Sequence, residues 1–299
     1  MKSPVWTVLL LIVLPLAACA PSSTSTTEVE PFVTGAIPDR DPEKLQRRYG
    51  LLSDYLEAEL GVPVDYRPVT DYTAAVTAFR VGDLDMVWFG GLTGVQARLQ
   101  VPGAEAIAQR DIDEQFHSVF IANVDSGIEP FDSLAGLTVF EDSRFTFGSE
   151  SSTSGRLMPQ FFLQQAGVEL NEFRGEVGFS GSHDATIQLV EAGTYEAGAV
   201  NEQVWRSRLE AGEVDRDRVR EVWRSPAYFD YHWVIRPEVE DRYGEGFSDR
   251  VREALLQLDP EVPEQREILD LFGAGRFIPT HESNYAQIEA VGRQIGKIQ

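Results

Sequence analysis

The sequence predicts an α/β protein built from two successive units of strands and helices. The first observation is an alternation of apolar runs with segments of helical periodicity, from residues 32–37 to residues 84–89. The second is a similar alternation that begins near Asp132 and continues to residues 219–224. Strands that alternate with helices usually form layers around a largely parallel sheet. With 299 residues and 42% apolar side chains, the chain is long enough to fill two cores.

The first helix carries clear boundary signals. Asp41-Pro42 follows the first strand and is typical of a helix start, whereas Gly61 is typical of a helix end. Between these signals, apolar residues recur at helical spacing: Leu45, Tyr49, Leu52, Tyr55, Leu56 and Leu60. The pattern therefore predicts an amphipathic helix with one buried face.

The remaining elements follow in order along the chain. The predicted strands are residues 62–69, 84–89, 139–140, 145–147, 177–180, 197–200 and 219–224. The predicted helices are residues 71–81, 157–166, 184–192 and 201–209, followed by a helical tail from residue 247. We expect the tail to return to the first unit. The chain should then form one lobe from residues 32–122 and 226–299, and a second lobe from residues 123–225.

Charge and cysteine content exclude several classes of function. The formal net charge is −22, from 26 basic and 48 acidic residues. Such a surface repels phosphate backbones, so no nucleic-acid partner is expected. The chain has one cysteine, Cys19, which excludes an intramolecular disulfide and a thiolate metal cluster.

The N-terminal segment is typical of an export signal. Residues 5–16 form an apolar run too short for a permanent membrane helix, with the length of a signal-peptide core. Residues 16–19, Leu-Ala-Ala-Cys, match a bacterial lipobox, in which the cysteine is diacylated; an ordinary signal peptide with an incidental cysteine is the alternative. We predict a lipoprotein signal peptide at residues 1–18 and a lipidated flexible tether at residues 19–31. The protein would lie in the periplasm or on the outer face of the cytoplasmic membrane, anchored through Cys19.

The sequence contains no recognisable catalytic motif. It lacks H-E-x-x-H, Walker A, S-x-x-K and G-x-G-x-x-G motifs. Residues 178–182 approach the G-x-S-x-G pattern of hydrolases, but the last residue is Ser182. We therefore predict that the protein is not an enzyme and needs neither a cofactor nor a metal ion.

A cluster of hydroxyl residues is the main candidate site. Residues 148–155, Gly-Ser-Glu-Ser-Ser-Thr-Ser-Gly, follow a predicted strand and open a predicted helix. Free backbone N–H groups at a helix start attract anions. The hydroxyls of Ser152, Thr153 and Ser154 would add donors, so the segment could hold a tetrahedral oxyanion without Lys or Arg. A helix cap within a solvated loop is the plainer alternative.

Three further positions are candidates, each with a plainer alternative. His183 lies between a strand and a helix, where it could donate a hydrogen bond to the same anion or simply lie near a cap. Tyr72 opens the second helix and could equally pack in the core. Thr93 follows a strand end, where open α/β sheets bind ligands, but the loop could be an ordinary turn. The aromatic residues 226–233 could line a pocket for a quaternary amine, cross between lobes or pack in a core.

Several motifs occur in a characteristic order along the chain. After the lipobox come Ile37-Pro38, Thr70-Asp71-Tyr72, Trp88-Phe89-Gly90, Ser152-Thr153-Ser154-Gly155 and Gly181-Ser182-His183. This order resembles the substrate-binding proteins of phosphonate and phosphite ABC importers, over residues 32–298. Residues 147–159, 228–233 and 271–279 are most similar to a branch of that family usually described as selenate-binding.

The resemblance implies a fold and a set of site residues. The implied fold is the two-lobed periplasmic-binding-protein fold of type II, each lobe a mostly parallel sheet flanked by helices. The residues that match oxyanion-holding positions are Ser152, Thr153, Ser154 and His183. Tyr72 matches a tyrosine that contacts the oxyanion from the first lobe. Asp230 falls near a carboxylate that phosphonate binders use for the amino group of the ligand.

Two departures from the family pattern bear on the ligand. Gly94 stands where the family often has a tyrosine, and Gln203 stands where it has a glutamate for amine recognition. Loss of that carboxylate argues against aminoalkylphosphonates and leaves a site suited to a small inorganic oxyanion.

The sequence thus favours a lipid-anchored, monomeric binding protein that captures selenate or a phosphonate- or phosphite-like anion. It would deliver the anion to an ABC permease and its ATPase subunits. An acceptor such as Asp230 near the anion would favour phosphite or phosphonate, which can donate a hydrogen bond near neutral pH, over selenate, which cannot. The alternatives are a binder of an organic solute such as a quaternary amine, an extracytoplasmic hydrolase on the same fold, and a sensory lobe that feeds a receptor.

Overall fold

The strands of the molecule form two separate sheets, and the chain crosses between them twice. The computed structural model describes Ser3 and residues 30–299. The predicted lipobox, Cys19 and nearly all of the predicted signal peptide and tether therefore lie outside the described residues. Within the described part of the chain, no helix is long and apolar enough to cross a membrane.

The elements of the chain are as follows. Up to residue 110 they are β1 (Phe32–Ala36), α1 (Pro42–Leu60), β2 (Val64–Tyr66), α2 (Tyr72–Val81), β3 (Met86–Phe89), α3 (Gly91–Gln100) and β4 (Glu105–Arg110). From there to residue 224 they are β5 (Ser118–Asn123), β6 (Phe145–Phe147), α4 (Met158–Gln165), β7 (Gly178–Phe179), α5 (His183–Glu191), β8 (Ala197–Asn201), α6 (Glu202–Glu210) and β9 (Val219–Arg224). The last are β10 (His232–Ile235), α7 (Val239–Tyr243), α8 (Phe247–Leu256), α9 (Pro263–Phe272), β11 (Phe277–Pro279) and α10 (Ala286–Ile295). Short 3₁₀ turns lie at Asp111–Gln115, Val124–Ser126, Leu134–Phe140, Leu170–Glu172 and Glu282–Tyr285, and one π-helical turn, Thr153–Leu157, precedes α4.

Each sheet forms the centre of one lobe. The first has the strand order β11-β4-β10-β3-β1-β2, and the second has the order β7-β6-β8-β5-β9. β1 pairs in parallel with β2 and β3, and β6 pairs in parallel with β7 and β8. The predicted two-lobed α/β fold is therefore confirmed.

The pairing within the sheets is mixed rather than mostly parallel. β10 is antiparallel to both of its neighbours in the first sheet, and β5 is antiparallel to both of its neighbours in the second. Each of these strands is the first after a crossover. The chain enters the new sheet from the edge at which the neighbouring strands end, so the entering strand runs in the opposite direction.

The crossovers span residues 111–117 and 225–231. Because β5 lies inside the second sheet, the first crossover ends before residue 118, earlier than the lobe boundary predicted after residue 122. The second crossover contains most of the aromatic residues 226–233, so this segment crosses between the lobes.

Most local signals act as expected, with one clear exception. α1 begins at Pro42 and ends before Gly61, which adopts a left-handed conformation with a φ of 70°. Residues 139–140, which we predicted as a strand, belong to the 3₁₀ helix Leu134–Phe140. That prediction was wrong because a short apolar pair has no periodicity that distinguishes a strand from a buried helical turn.

The two crossovers are bound to each other. Phe116 and Tyr228 exchange both backbone hydrogen bonds, at 2.9 and 3.0 Å. At the start of the first crossover, Arg110 forms a two-pronged ion pair with Asp113, with Nε–Oδ2 and Nη2–Oδ1 distances of 2.7 and 2.6 Å. Both side chains are buried, and Arg110 also donates to the Phe272 carbonyl at 2.8 Å. This ion pair fixes the first crossover against the first lobe.

Replacement of Asp113 with Asn should lower the free energy of unfolding by about 3–5 kcal/mol, because the buried guanidinium of Arg110 loses its counter-charge. Asp249→Asn is the matched control. It breaks an ion pair with Arg252 at the same sequence spacing and the same 2.6 Å distance, but with the Asp249 side chain 63% exposed. The control should lose less than about 1 kcal/mol in urea denaturation, and equal losses in the two variants would contradict the prediction.

Candidate functional site

The second lobe presents three consecutive hydroxyl residues at a helix start. They lie after β6, where the π-helical turn leads into α4, and all three are buried. Ser152 caps the turn: its Oγ accepts the N–H of Gly155 at 2.9 Å, which leaves its own proton available. The Ser154 Oγ is buried and contacts the Tyr228 side chain, but it has no well-aligned hydrogen bond among the described residues. Backbone N–H groups in a first helical turn lack intrahelical partners. The turn therefore combines side-chain hydroxyl donors with backbone N–H donors.

The first lobe meets this turn at the start of α3. The Leu92 N–H donates to Thr153 Oγ1 at 2.9 Å, and the Gly91 N–H donates to Asp230 Oδ1 at 2.9 Å. A side chain at Gly90 would be crowded, since its Cβ would lie 3.1 Å from Thr153 Oγ1 and 3.3 Å from Asp230 Oδ1. The second lobe and the hinge, which is formed by the two crossovers at residues 111–117 and 225–231, therefore share one helix start in the first lobe.

Asp230 lies on the second crossover and is completely buried. Burial is the largest influence on its carboxyl group and raises its pKa to about 7, while the hydrogen bond from the Gly91 N–H opposes the rise. The Thr153 side chain also contacts the carboxyl group and opposes the rise in its pKa, while Oδ2 is buried without a well-aligned hydrogen bond among the described residues. This carboxyl group can therefore gain or lose a proton near neutral pH, with one oxygen available to a bound molecule.

His183 is the first residue of α5 and is completely buried. Burial lowers its pKa to about 4, so the imidazole is neutral at physiological pH. Its Nδ1 accepts the backbone N–H of Asn201 at 3.3 Å, and its Nε2 lies 3.4 Å from the Tyr231 hydroxyl. The ring lies beside Ser152, because a Cβ on Gly155 would be 3.0 Å from both His183 Cε1 and Ser152 Oγ.

Tyr72 and Thr93, the two candidate residues of the first lobe, differ in whether their hydroxyl group is available to a ligand. The Tyr72 hydroxyl is buried and has no well-aligned hydrogen bond within the part of the chain that the structure describes. Burial raises the pKa of Tyr72 well above its ordinary value, and the neighbouring Ser152 hydroxyl opposes the rise, so Tyr72 lies against the hydroxyl cluster. Thr93 is also buried, but its Oγ1 donates to the Gly90 carbonyl at 3.1 Å, within its own helical turn. The Thr93 proton is therefore used inside α3.

The lobes are in direct contact beside these residues. The His183 backbone N–H donates to the Asp39 carbonyl of the first lobe at 3.1 Å. The Asp41 N–H donates to Asp184 Oδ2 at 2.9 Å, and Asp184 Oδ1 is 2.6 Å from Arg208 Nη1. The structure is thus a closed arrangement in which the candidate residues are shielded from solvent.

The two departures from the family pattern have structural consequences. The His232 imidazole occupies the space beside Gly94, where a Cβ would lie 2.3 Å from the ring. The Gln203 amide lies against Gly273 of the first lobe, where a Cβ would lie 2.4 Å from Nε2. Gln203 therefore contributes to the contact between the lobes.

Sequence analysis missed Asn201 and Tyr231 as parts of this site. Asn201 ends β8 and caps α6, which is the strand-to-helix position that the other candidates share. That shared position was the available signal. Tyr231 belongs to the aromatic segment whose role the sequence left open, and its contacts across the lobes depend on the fold.

The assembled site is rich in uncharged donors and contains one carboxyl group of variable charge. Such a set can bind a tetrahedral oxyanion through hydrogen bonds, with Asp230 facing a proton on the ligand or supplying one. Among the described residues, no group of three His, Cys, Asp or Glu side chains is placed to hold a metal ion.

Comparison with known proteins gives a consistent result. A family model described as "ABC transporter, phosphonate, periplasmic substrate-binding protein" matches residues 34–285. A Prochlorococcus marinus (strain MIT 9301) protein named "Probable ABC transporter phosphite binding protein PhnD1" is 49% identical over 265 residues, which are 88% of this chain and 89% of that protein. The phosphonates-binding periplasmic protein of Escherichia coli (strain K12) is 23% identical over 248 residues, which are 81% of this chain and 70% of that protein.

The solved structures agree with the sequence relatives. The structure of PhnD1 from Prochlorococcus marinus (MIT 9301) in complex with methylphosphonate matches this chain with a TM-score of 0.88 and 49% identity. The match covers 89% of this chain and 98% of that chain. It supports the two-lobed type II assignment of the fold.

Asp230→Asn should change how stability depends on pH. In the folded parent the Asp230 pKa is about 7, above its ordinary value of 3.8, so the folded protein holds a proton that the unfolded chain releases in this range. The parent should therefore lose stability as the pH rises from about 4 to about 7, at about 1.4 kcal/mol per unit of pKa difference.

Urea denaturation of the two proteins at a series of pH values measures this effect. The free energy of unfolding of the variant, relative to that of the parent, should rise across that range and level off above about pH 7. The comparison near pH 4 is an internal control, because Asp230 is protonated there in the folded parent and is uncharged like the asparagine of the variant. A difference that does not change with pH would show that Asp230 does not titrate as described.

Proposed function

We propose a binding function for this chain, which belongs to the family of periplasmic substrate-binding proteins of phosphonate ABC transporters. In this proposal, the protein captures a small phosphonate- or phosphite-like oxyanion between its lobes and delivers it to an ABC permease and its ATPase subunits. One observation carries the proposal. The Tyr72 hydroxyl, Ser154 Oγ and Asp230 Oδ2 are buried polar atoms from the first lobe, the second lobe and the second crossover, and among the described residues none has a well-aligned hydrogen bond. The side-chain contacts of these three groups are with neighbouring hydroxyls: Tyr72 with Ser152, Ser154 with Tyr228, and Asp230 with Thr153.

Buried polar atoms normally find hydrogen-bond partners, because an unpaired group loses its hydration without compensation. The grouping of three such atoms around one cluster favours a ligand that completes their hydrogen bonding. The site residues in this proposal are Tyr72, Ser154 and Asp230, together with the neighbouring Ser152, Thr153 and His183. Thr93 has a weaker claim, because its proton is already donated within α3.

Asp230 favours a ligand that carries a proton near neutral pH. An ionised Asp230 accepts a hydrogen bond from a protonated phosphonate or phosphite oxygen. Selenate and sulfate carry no such proton, so they bind only when Asp230 is itself protonated. The methylphosphonate-bound relative supports the same ligand class. We therefore favour phosphonate or phosphite over selenate, although the motifs resemble the selenate-binding branch.

A quaternary amine fits the site less well. The aromatic residues of the second crossover are packed against other rings rather than arranged around an open space. Tyr231 stacks on Trp88 with ring centroids 5.8 Å apart, and Tyr228 packs edge-on against Phe116. The hydroxyl cluster would also have no role in binding such a cation.

Calorimetric titration of the purified protein tests the binding function. We expect one-to-one binding of methylphosphonate and phosphite, and much weaker binding of selenate and sulfate. Ser154→Ala should weaken methylphosphonate binding by roughly tenfold or more, because a hydrogen bond to a charged group is lost.

Ser53→Ala is the matched control. The Ser53 Oγ is also buried and without a hydrogen bond of ordinary geometry, but it lies on α1, outside the cluster. The control should bind as the parent does. If none of the oxyanions binds, or if only glycine betaine binds, the proposal is overturned.

We also propose that Cys19 anchors the protein to the membrane after export. The motif at residues 16–19 supports this proposal, because the lipobox cysteine is the residue that is diacylated. Cys19→Ala should move the exported protein from the membrane fraction to the soluble extracytoplasmic fraction and abolish labelling with radioactive palmitate. Unchanged palmitate labelling of the variant would show that Cys19 is not the lipidated residue.

A further inference from the structure

Asn201 connects three parts of the site through three hydrogen bonds. Its Oδ1 accepts the Val204 N–H at 2.6 Å, its Nδ2 donates to the Tyr231 hydroxyl at 2.9 Å, and its backbone N–H donates to His183 Nδ1 at 3.3 Å. The residue is 1% exposed. A backbone N–H can only donate, so the atom that faces Val204 must be the amide oxygen. The orientation of the Asn201 amide is therefore determined.

The same logic determines the proton position on His183. The Asn201 N–H requires an acceptor, so the Nδ1 of His183 carries a lone pair. Because burial keeps this imidazole neutral, its single proton lies on Nε2. That N–H is directed towards the side on which the Tyr231 hydroxyl lies, at a long distance of 3.4 Å.

The Tyr231 hydroxyl is directed by the same contacts. Its oxygen accepts the Asn201 Nδ2–H at 2.9 Å, so its own proton is free to point elsewhere. The His183 Nε2–H lies 3.4 Å away, too far for a strong bond, and can turn to another acceptor. Its ring is held by the first lobe, stacked on Trp88 and 4.9 Å from the Arg110 guanidinium. The hydroxyl can therefore rotate its proton while the ring stays in place.

We propose that Asn201 is a positioning residue that acts through two groups: its backbone N–H holds His183 in the Nε2–H form, and its amide Nδ2–H leaves the Tyr231 O–H free. Both the His183 N–H and the Tyr231 O–H would then be donors for the bound oxyanion. This donor role rests on the proposed binding function. The Nε2–H form of His183 concerns the protein alone and is testable without a ligand.

Other charged groups also act on His183. Asp39 from the first lobe and Asp184 from α5 favour its protonated form, whereas Arg40 from the first lobe disfavours it. Asp184 is itself bonded to Arg208 and to the Asp41 N–H. In the parent, burial outweighs these charges and the ring stays neutral. A further negative charge at position 201 would shift that balance towards the protonated ring.

Asn201→Asp tests the proposal. A carboxylate still caps α6 through the Val204 N–H, but it replaces the Nδ2 donor with an acceptor. The Tyr231 proton would turn to the new carboxylate and away from the ligand. Methylphosphonate affinity should fall by roughly 10- to 100-fold at about pH 8. The ratio of the variant and parent dissociation constants should shrink towards about pH 5, as His183 becomes protonated in the variant.

Asn123→Asp is the matched control. Asn123 is also buried, its Oδ1 caps a short helical turn at Asp125, and its Nδ2 donates to the Val190 carbonyl at 2.8 Å. It belongs to the second lobe but does not contact His183 or Tyr231 through these bonds. The control should lose stability, and its affinity ratio to the parent should not change with pH.

Nitrogen NMR of protein with labelled histidine provides the independent measurement. The His183 signals are assigned by their loss in His183→Gln. Without ligand, the parent should show a protonated Nε2, a bare Nδ1 and no titration between about pH 5 and about pH 8. Asn201→Asp should show a titrating ring in that range.

The outcomes separate the two proposals. A parent ring protonated on Nδ1 would overturn the positioning of His183 whatever binds. A variant that binds methylphosphonate as tightly as the parent would overturn the role of the Asn201 amide. If the nitrogen signals behave as expected and no oxyanion binds, the tautomer assignment stands, and both the binding function and the donor role of His183 and Tyr231 fail. A fall in affinity that is the same at every pH would show that Asn201 supports the fold rather than His183.

Discussion

The start of α3 is the point on which the closed arrangement depends. Its first two backbone donors serve two different parts of the molecule: Gly91 binds Asp230 of the hinge, and Leu92 binds Thr153 of the second lobe. A helix start always leaves such N–H groups without intrahelical partners. Here their partners come from outside the lobe, so separation of the lobes would leave Leu92 to bond with water instead. The same bonds that close the molecule thus also place Thr153 and Asp230.

The net charge of −22 makes this an unusual setting for an anion. Long-range attraction cannot concentrate the ligand at such a surface, so the binding free energy must come from short-range hydrogen bonds in a buried site. The donors are uncharged, His183 included, because burial lowers its pKa to about 4. A bound anion would raise the pKa of Asp230 beyond about 7. A ligand that brings its own proton avoids that cost, which gives the site a basis for choosing among oxyanions of similar size and shape.

The sequence predicted the features that are encoded locally. The start of α1 after Asp41, its end before Gly61 and the positions of most helices follow from short-range rules of hydrogen bonding and periodicity. β4 and β5 were not assigned, because polar residues that are buried in the fold, Gln109 and Arg110 in β4 and Ser118 and Asn123 in β5, interrupt their apolar runs. The pairing of the crossovers and the raised pKa of Asp230 depend on residues distant in sequence and on burial, neither of which a local pattern contains. The position of Asn201 at a helix start was a local signal, but its contacts with His183 and Tyr231 were not, since these residues become its neighbours only after the lobes have formed.

The hinge and the site cannot be treated as separate parts. Asp230 and Tyr231 are adjacent residues of the second crossover, and each has a bond to a different lobe: Asp230 to α3 and Tyr231 to Asn201. Any separation of the lobes that bends this crossover must stretch or break at least one of these two hydrogen bonds. A ligand would therefore first meet an incomplete set of donors, and the complete set would exist only after closure. Because a ligand shifts such an equilibrium only by its differential affinity for the two states, the measured affinity includes the free energy of closure. Selectivity then depends on how well an anion stabilises the closed hinge, as well as on how well it fits the pocket.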